Sequence, residues 1–378
     1  MNRRDFSGMA LGAGLIGSLA PKSSNAQWGE APPDASQPIS VVIKNTPRTY
    51  NYVPAPRKYV KGKRRFSIYW SWNYPWESNQ DLTVLDNRFS SITEVRRVAW
   101  PGYETPEYSA RMFLQGISGT LELFHLSMVR FQSLVGEATG QPVHLYQRVD
   151  QAGQYLPLDE RVLADTDTLM LFSLDHMVTE QEATPEEIEA VRKFLTREGT
   201  CLMLGPHHDV GASSDLKVRQ MEYIHHGDPL VPRQQRFSTY ARSLMKGLGI
   251  PVENRYGLNP ALVSGTTNKL APLTKFPDLD KRGWLNGVTT FNYHPHLPHY
   301  ALTDEDTRSV QVLARQPVNM ARPHPFTEAG NREFNMFLWM PPSGTRAGDI
   351  LMADLTIFST LFGADDSLHR FWHNLATK

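Results

Sequence analysis

The stretch from Asp167 to Gly211 carries the clearest apolar and polar patterning in the chain. Thr168–Ser173 (TLMLFS) is a short apolar run, the pattern of a strand covered on both faces. Thr184-Pro185-Glu186-Glu187 then reads as a helix start: a hydroxyl at the cap, proline in the first turn, and acids near the positive helix end. Ile188, Val191, Phe194 and Leu195 give that helix a buried stripe, and Gly199 stops it. Thr200–Gly205 (TCLMLG) is a second apolar strand. Strand, helix and strand at this spacing form a βαβ unit, so the two strands should run parallel.

The same periodicities place the other elements. Met112, Phe113, Ile117, Leu121, Phe124, Met128, Phe131 and Val135 recur in steps of three and four, which predicts a helix over 107–137. Phe66–Trp72 and Val143–Arg148 read as strands, the first ended by Asn73-Tyr74-Pro75. Phe237–Leu248 reads as a helix, and residues 250–307 as a loop-rich insertion. Val310–Ala314, Phe334–Met340 and Gly348–Asp354 follow as strands, with Asp366–Leu375 as a closing helix. This order predicts one mainly parallel α/β sheet with a long insertion before its last strands.

The amino terminus changes the picture. Arg3-Arg4, a Gly/Ala-rich apolar run from Gly8 to Ala20, and Ser24-Asn25-Ala26 follow the layout of an export signal, and the paired arginines resemble the twin-arginine type. The expectation is therefore a signal over 1–26, an extended lead-in over 27–63, a single domain over 64–378, and a periplasmic or exported location. No later apolar run is long enough for a membrane helix. Of the 378 residues, 39 are Lys or Arg and 39 are Asp or Glu, so no basic excess points to a nucleic-acid partner. Cys201 is the single cysteine, which excludes an intrachain disulfide.

Two stretches resemble a known family. Thr168–Ser173, Thr184–Glu187, Phe194-Leu195-Thr196-Arg197-Glu198-Gly199 and Cys201–Gly205 resemble the middle of class I glutamine-amidotransferase-like domains. Gly348–Asp354, Phe358-Ser359, Asp365-Asp366 and Asn374-Leu375 are similar to the closing strand and helix of the non-catalytic branch, which includes gliding-motility transporter accessory proteins and other envelope proteins. There a Gly-Asp-Ser usually stands where this chain has Ala353-Asp354-Leu355. The resemblance implies a flavodoxin-like three-layer fold. It does not carry glutaminase chemistry, which needs a cysteine on a sharp strand-to-helix turn with a histidine and an acid. Cys201 begins its strand, and the corresponding strand exit reads Gly205-Pro206-His207-His208.

Ligands of open parallel sheets bind beyond the strand carboxyl ends. Those exits offer Asp175 and His176 after the first apolar strand, and His207, His208 and Asp209 after the second. The last strand offers Asp354. Asp175, His176, His208 and Asp209 are the candidate acid–base residues. His176, His207 and His208, with His294, His296 and His299 of the insertion, are candidate ligands of a transition metal such as Zn or Cu. His225-His226-Gly227-Asp228 is a further cluster without an assigned role. Two functional readings follow. One is an exported accessory protein that binds a small molecule or an envelope protein partner. The other is a periplasmic metal-dependent hydrolase. Tyr69-Trp70-Trp72-Tyr74-Trp76 reads as core packing before it reads as a sugar-stacking row, and the basic stretch Arg57–Arg65 as a solvated lead-in.

Overall fold

The computed structural model describes residues 56–71, 127–148, 155–175, 181–226, 234–267, 269–292, 294–303, 309–360, 363 and 365–378. All of them belong to the compact unit Tyr50–Lys378. In chain order the strands are β1 (Phe66–Ser71), β2 (His144–Gln147), β3 (Thr168–Ser173), β4 (Cys201–Leu204), β5 (Asp209–Val210), β6 (Gln235–Arg236), β7 (Val252–Leu258), β8 (Thr274–Lys275), β9 (Leu297–Leu302), β10 (Gln311–Pro317), β11 (Glu333–Met340) and β12 (Asp349–Met352). The helices are α1 over 127–139, α2 (Glu160–Leu163), α3 (Pro185–Leu195), α4 (Leu216–His226), α5 (Thr239–Leu248), α6 (Pro325–Glu328) and α7 (Asp366–Thr377). Of the helix expected over 107–137, residues 107–126 lie outside the described residues, as do 1–55 and the aromatics from Trp72 to Trp76.

Eight strands form one sheet in the order β2-β1-β3-β4-β12-β11-β10-β8. The first five run parallel, while β11, β10 and β8 extend the sheet antiparallel. Counting β12 as the fifth parallel strand, the order 2-1-3-4-5 is that of flavodoxin-like sheets. Strand alternation builds the two cores. Met170, Phe172, Cys201, Met203 and Leu351 face α1 and α7, packing on Phe131, Phe371 and Trp372. Leu169, Leu171, Leu202, Leu204 and Ile350 face α3 and α5, packing on Val191, Phe194, Tyr240 and Leu244. Helix, sheet and helix thus make three layers.

Local chemistry explains the boundaries of α3. Thr184 accepts from the Glu187 amide and the Glu187 side chain accepts from the Thr184 amide, with Pro185 opening the helix. Gly199 sits at φ 74°, in the left-handed region where a side chain is strained. Arg57 departs from the solvated reading of the lead-in: it is buried and its Nε lies 3.1 Å from Asp165 Oδ2. Its guanidinium also donates to the Phe66 and Pro142 carbonyls, tying residue 57 to β1. Tyr69 and Trp70 are core residues, fully buried on opposite faces of β1.

Most of the described insertion is loop, as expected, and it also carries strands. It contributes β7 and β9 to a second, antiparallel sheet, ordered β6-β5-β7-β9. β7 alternates buried and exposed positions, but the buried position between Glu253 and Arg255 is Asn254, so no apolar alternation marks the strand. Helix α4 lacks an apolar stripe for the same reason: its buried residues are Glu222, Tyr223, His225 and His226.

Cys201 pairs in register with Thr168 and Asp349 at the amino ends of β3 and β12. Burial pushes its thiol up to about 12. At pH 8 that leaves roughly one thiolate in ten thousand, so native Cys201 should resist iodoacetamide and label only after denaturation. Rapid labelling of the folded protein, followed by mass spectrometry, would contradict this placement.

Candidate metal centre

Beyond the carboxyl end of β4 the chain runs through Gly205-Pro206-His207-His208 into β5, the first strand of the small sheet. The Tyr300 hydroxyl donates to the Pro206 carbonyl at 3.2 Å, and Asn254 Nδ2 donates to the carbonyl of His207. The His207 amide donates to Ser238 Oγ at 2.9 Å. Ser238 is left-handed, at φ 71°, and its hydroxyl also donates to the Ser173 carbonyl. This strained residue ties the exits of β3 and β4 together.

The loop before β9 reaches the same place. Asn292 Nδ2 donates to the carbonyls of Thr356 and Ser359, and Asn259 Nδ2 donates to the Pro295 carbonyl at 2.8 Å, between His294 and His296. Helix α4 delivers His226 as its last residue. Among the described residues, five histidines therefore converge: His207, His208, His226, His294 and His296. Ring centroids lie 4.2 Å apart for His207 and His208, 4.3 Å for His294 and His296, 4.7 Å for His208 and His226, and 4.1 Å for His226 and His296. Four of them are buried, while His296 is half-buried.

Asp354 completes the arrangement from the end of β12. His207 Nδ1 lies 2.6 Å from Asp354 Oδ2. The other carboxylate oxygen accepts from the Thr356 amide at 2.8 Å and from its hydroxyl, capping the short 3-10 turn Leu355–Phe358. Burial would raise this carboxyl, but the adjacent His207, together with His294 and the Thr356 hydroxyl, holds Asp354 below the ordinary carboxylate range. A carboxylate on Nδ1 fixes the imidazole tautomer and leaves the Nε2 lone pair as the ligand atom. Burial, with His207 alongside, pushes His294 down to about 3. Burial and the crowd of neighbouring imidazoles hold His296 well below its ordinary value. Both rings are neutral, the form that binds a metal.

The donor set fits a transition ion. In the groups His207, His294, His296 and His208, His226, His296, one ligand atom per residue lies within 4.8 Å of the others. A tetrahedral site with metal–nitrogen bonds of about 2.1 Å brings nitrogens to about 3.4 Å, a small ring movement away. Neutral imidazoles suit Zn, Cu or Ni, and are poor ligands for Mg or Ca.

Among the described residues, Asp175, Asp209 and His299 are not members of either group. Asp175 closes the reversal in strand order between β1 and β3: it accepts from Ser71 and Ser173 hydroxyls at 2.9 and 2.5 Å and from the Tyr240 amide at 2.9 Å. Burial raises its carboxyl despite those bonds. Asp209 faces away into Gln234, Arg236 and Arg242, with Gln234 Nε2 donating at 2.6 Å. Burial pushes the Arg242 guanidinium down to about 10, partly offset by Asp209. His299 packs on Phe326, and its Nδ1 accepts from the Asn335 amide at 3.2 Å, outside both groups. His176 lies outside the described residues. Sequence reasoning assigned no role to His226 or Asp354. His226 could not be placed because α4 has no apolar stripe, and Asp354 carried only its position at a strand exit.

Two histidines outside the cluster set an acid limit on stability. Burial pushes His299 down to about 4 and His324 to about 3. The unfolded chain takes up these protons near pH 6.5 and the native chain does not, so their stabilisation is full above pH 6.5 and fades as pH falls toward the native values. Between pH 8 and pH 5 each should cost about 2 kcal/mol. Urea unfolding of metal-stripped protein checks this, and equal midpoints at pH 8 and pH 5 would contradict it.

No family model matches the chain, and no curated protein matches it. Among solved structures, the chain is similar to the mmIFT52 N-terminal domain (8% identity, TM-score 0.38, covering 64% of this chain and 85% of the other). It is also similar to a Bacteroides uniformis protein described as ThuA-like (10% identity, TM-score 0.35, covering 85% of this chain and 93% of the other). At these scores neither likeness carries an argument, and the α/β assignment stands on strand order and layers.

Proposed function

We propose that this chain is a metalloprotein that holds a transition-metal ion through histidines at the carboxyl rim of an amidotransferase-like α/β domain. The observation that carries the reading is the 2.6 Å pairing of Asp354 with His207, beside further buried imidazoles within ligand distance of each other. An ion held by three imidazoles would keep a coordination position open and would supply the means to activate water or polarise a carbonyl, the chemistry of metal-assisted hydrolysis. The ion would stand where the corresponding amidotransferase strand exit presents a thiol. Export as folded, metal-loaded cargo belongs to the same reading and is supported by the sequence of residues 1–26 alone.

Elemental analysis of the purified chain tests the proposal. Near-stoichiometric Zn, Cu or Ni is expected, lost in the double variant His207→Ala/His208→Ala while cooperative unfolding persists. A protein that is isolated without metal, and that takes up none of these ions on dialysis, would overturn it. The accessory reading would then stand, since Cys201 lies at the amino end of β4 and the exit offers no nucleophilic thiol.

A further inference from the structure

We infer that the cluster is built for two ions, with His296 shared between them; this rests on the reading of the cluster as a metal centre. A single tetrahedral ion takes four ligands, and here there are five imidazoles. They sort into two groups of three with one member in common. The sorting divides a consecutive pair, His207 and His208, whose rings lie 4.2 Å apart. One joins His294 and the other joins His226.

The two groups also have separate supports. Asp354 orients His207 in the first. The second depends on Gly257, at the irregular end of β7 where Tyr256 adopts φ 64°. A Cβ at Gly257 would stand 2.8 Å from His226 Cδ2, 2.9 Å from Val210 Cγ2 and 3.2 Å from His208 Cβ. Only glycine lets this strand lie against the second group. His296 lies between, with its ring 4.3 Å from His294 and stacked 4.1 Å from His226. An imidazole carries two nitrogens, so each can bind one ion. Binding of a second ion would release the remaining ring N–H proton to solvent, leaving His296 as an imidazolate that could hold an ion on each nitrogen.

The test is metal stoichiometry of the full chain, stripped of metal and then loaded with Zn(II) or with Cu(II) alone. Two ions per chain are expected. His207→Gln and His294→Gln should each retain one, His208→Gln and His226→Gln should each retain one, and His296→Gln should weaken both sites. With two Cu(II) ions, magnetic coupling across the bridge should diminish the paramagnetic resonance signal, and substitution of one by Zn(II) should restore it. Gly257→Ala removes no ligand and should weaken one ion at least tenfold while sparing the other. Circular dichroism and cooperative melting verify folding of each variant. One ion per chain, lost on changing any member of either group, would overturn the two-ion inference and leave the single-metal reading intact. Two ions that persist with normal affinity in His296→Gln would also overturn it. No ion in the unaltered protein would overturn the metal reading itself.

Discussion

Gly205→Ala is expected to destabilise the protein by at least about 4 kcal/mol, or to prevent folding. A Cβ there would overlap the Ala353 carbonyl and stand 2.6 Å from the Tyr300 hydroxyl oxygen. The obstacle is space, because the Ala353 backbone and the buried Tyr300 ring have little room to yield. Leu204 and Ala353 are linked by a 3.2 Å hydrogen bond across the ends of β4 and β12. The same close approach carries His207 to Asp354, so a shift that relieved the overlap would separate that pair as well. Urea unfolding measures the loss. A Gly205→Ala protein within about 1 kcal/mol of the parent would show that the strand ends are not packed this tightly.

The second large effect is on metal affinity. Asp354→Asn should weaken binding of Zn(II) by about 10- to 100-fold, the usual consequence of removing the carboxylate behind a ligating histidine. The amide oxygen still caps the turn at Thr356, so stability should change by no more than about 1 kcal/mol. A chromophoric chelator in competition measures the affinity, and urea unfolding measures the stability. Loss of affinity without loss of stability separates an electronic and orienting task from a structural one. Unchanged affinity would mean that His207 does not bind the ion through the nitrogen this hydrogen bond leaves exposed.

The parallel centre of the fold was legible because strands covered on both faces must be apolar throughout. Thr168–Ser173 and Cys201–Leu204 could hardly be read otherwise, and the capping box at Thr184 fixed the helix between them. The second sheet was hidden because the site itself replaces apolar positions with polar ones. Asn254 is buried so that its amide can hold the carbonyl of His207, and Glu222 is buried so that it can accept from the Gly211 amide at 2.6 Å. Polar residues buried in this way carry no apolar periodicity. The histidines after β4 and before β9 were legible as candidates because strand exits are where ligands gather. Their convergence depends on an insertion that folds back over the rim, and periodicity carries no information about that. His299 illustrates the difference: it is three residues from His296, yet β9 turns it toward Phe326.

The most direct test of the metal centre is an anomalous difference map from crystals of the metal-loaded protein, with data collected on both sides of the absorption edge of the bound metal. Density is expected among His207, His208, His226, His294 and His296, with imidazole nitrogens as its protein ligands and Asp354 behind His207. Anomalous density elsewhere on the chain, with the five imidazoles lacking any ion, would contradict the account.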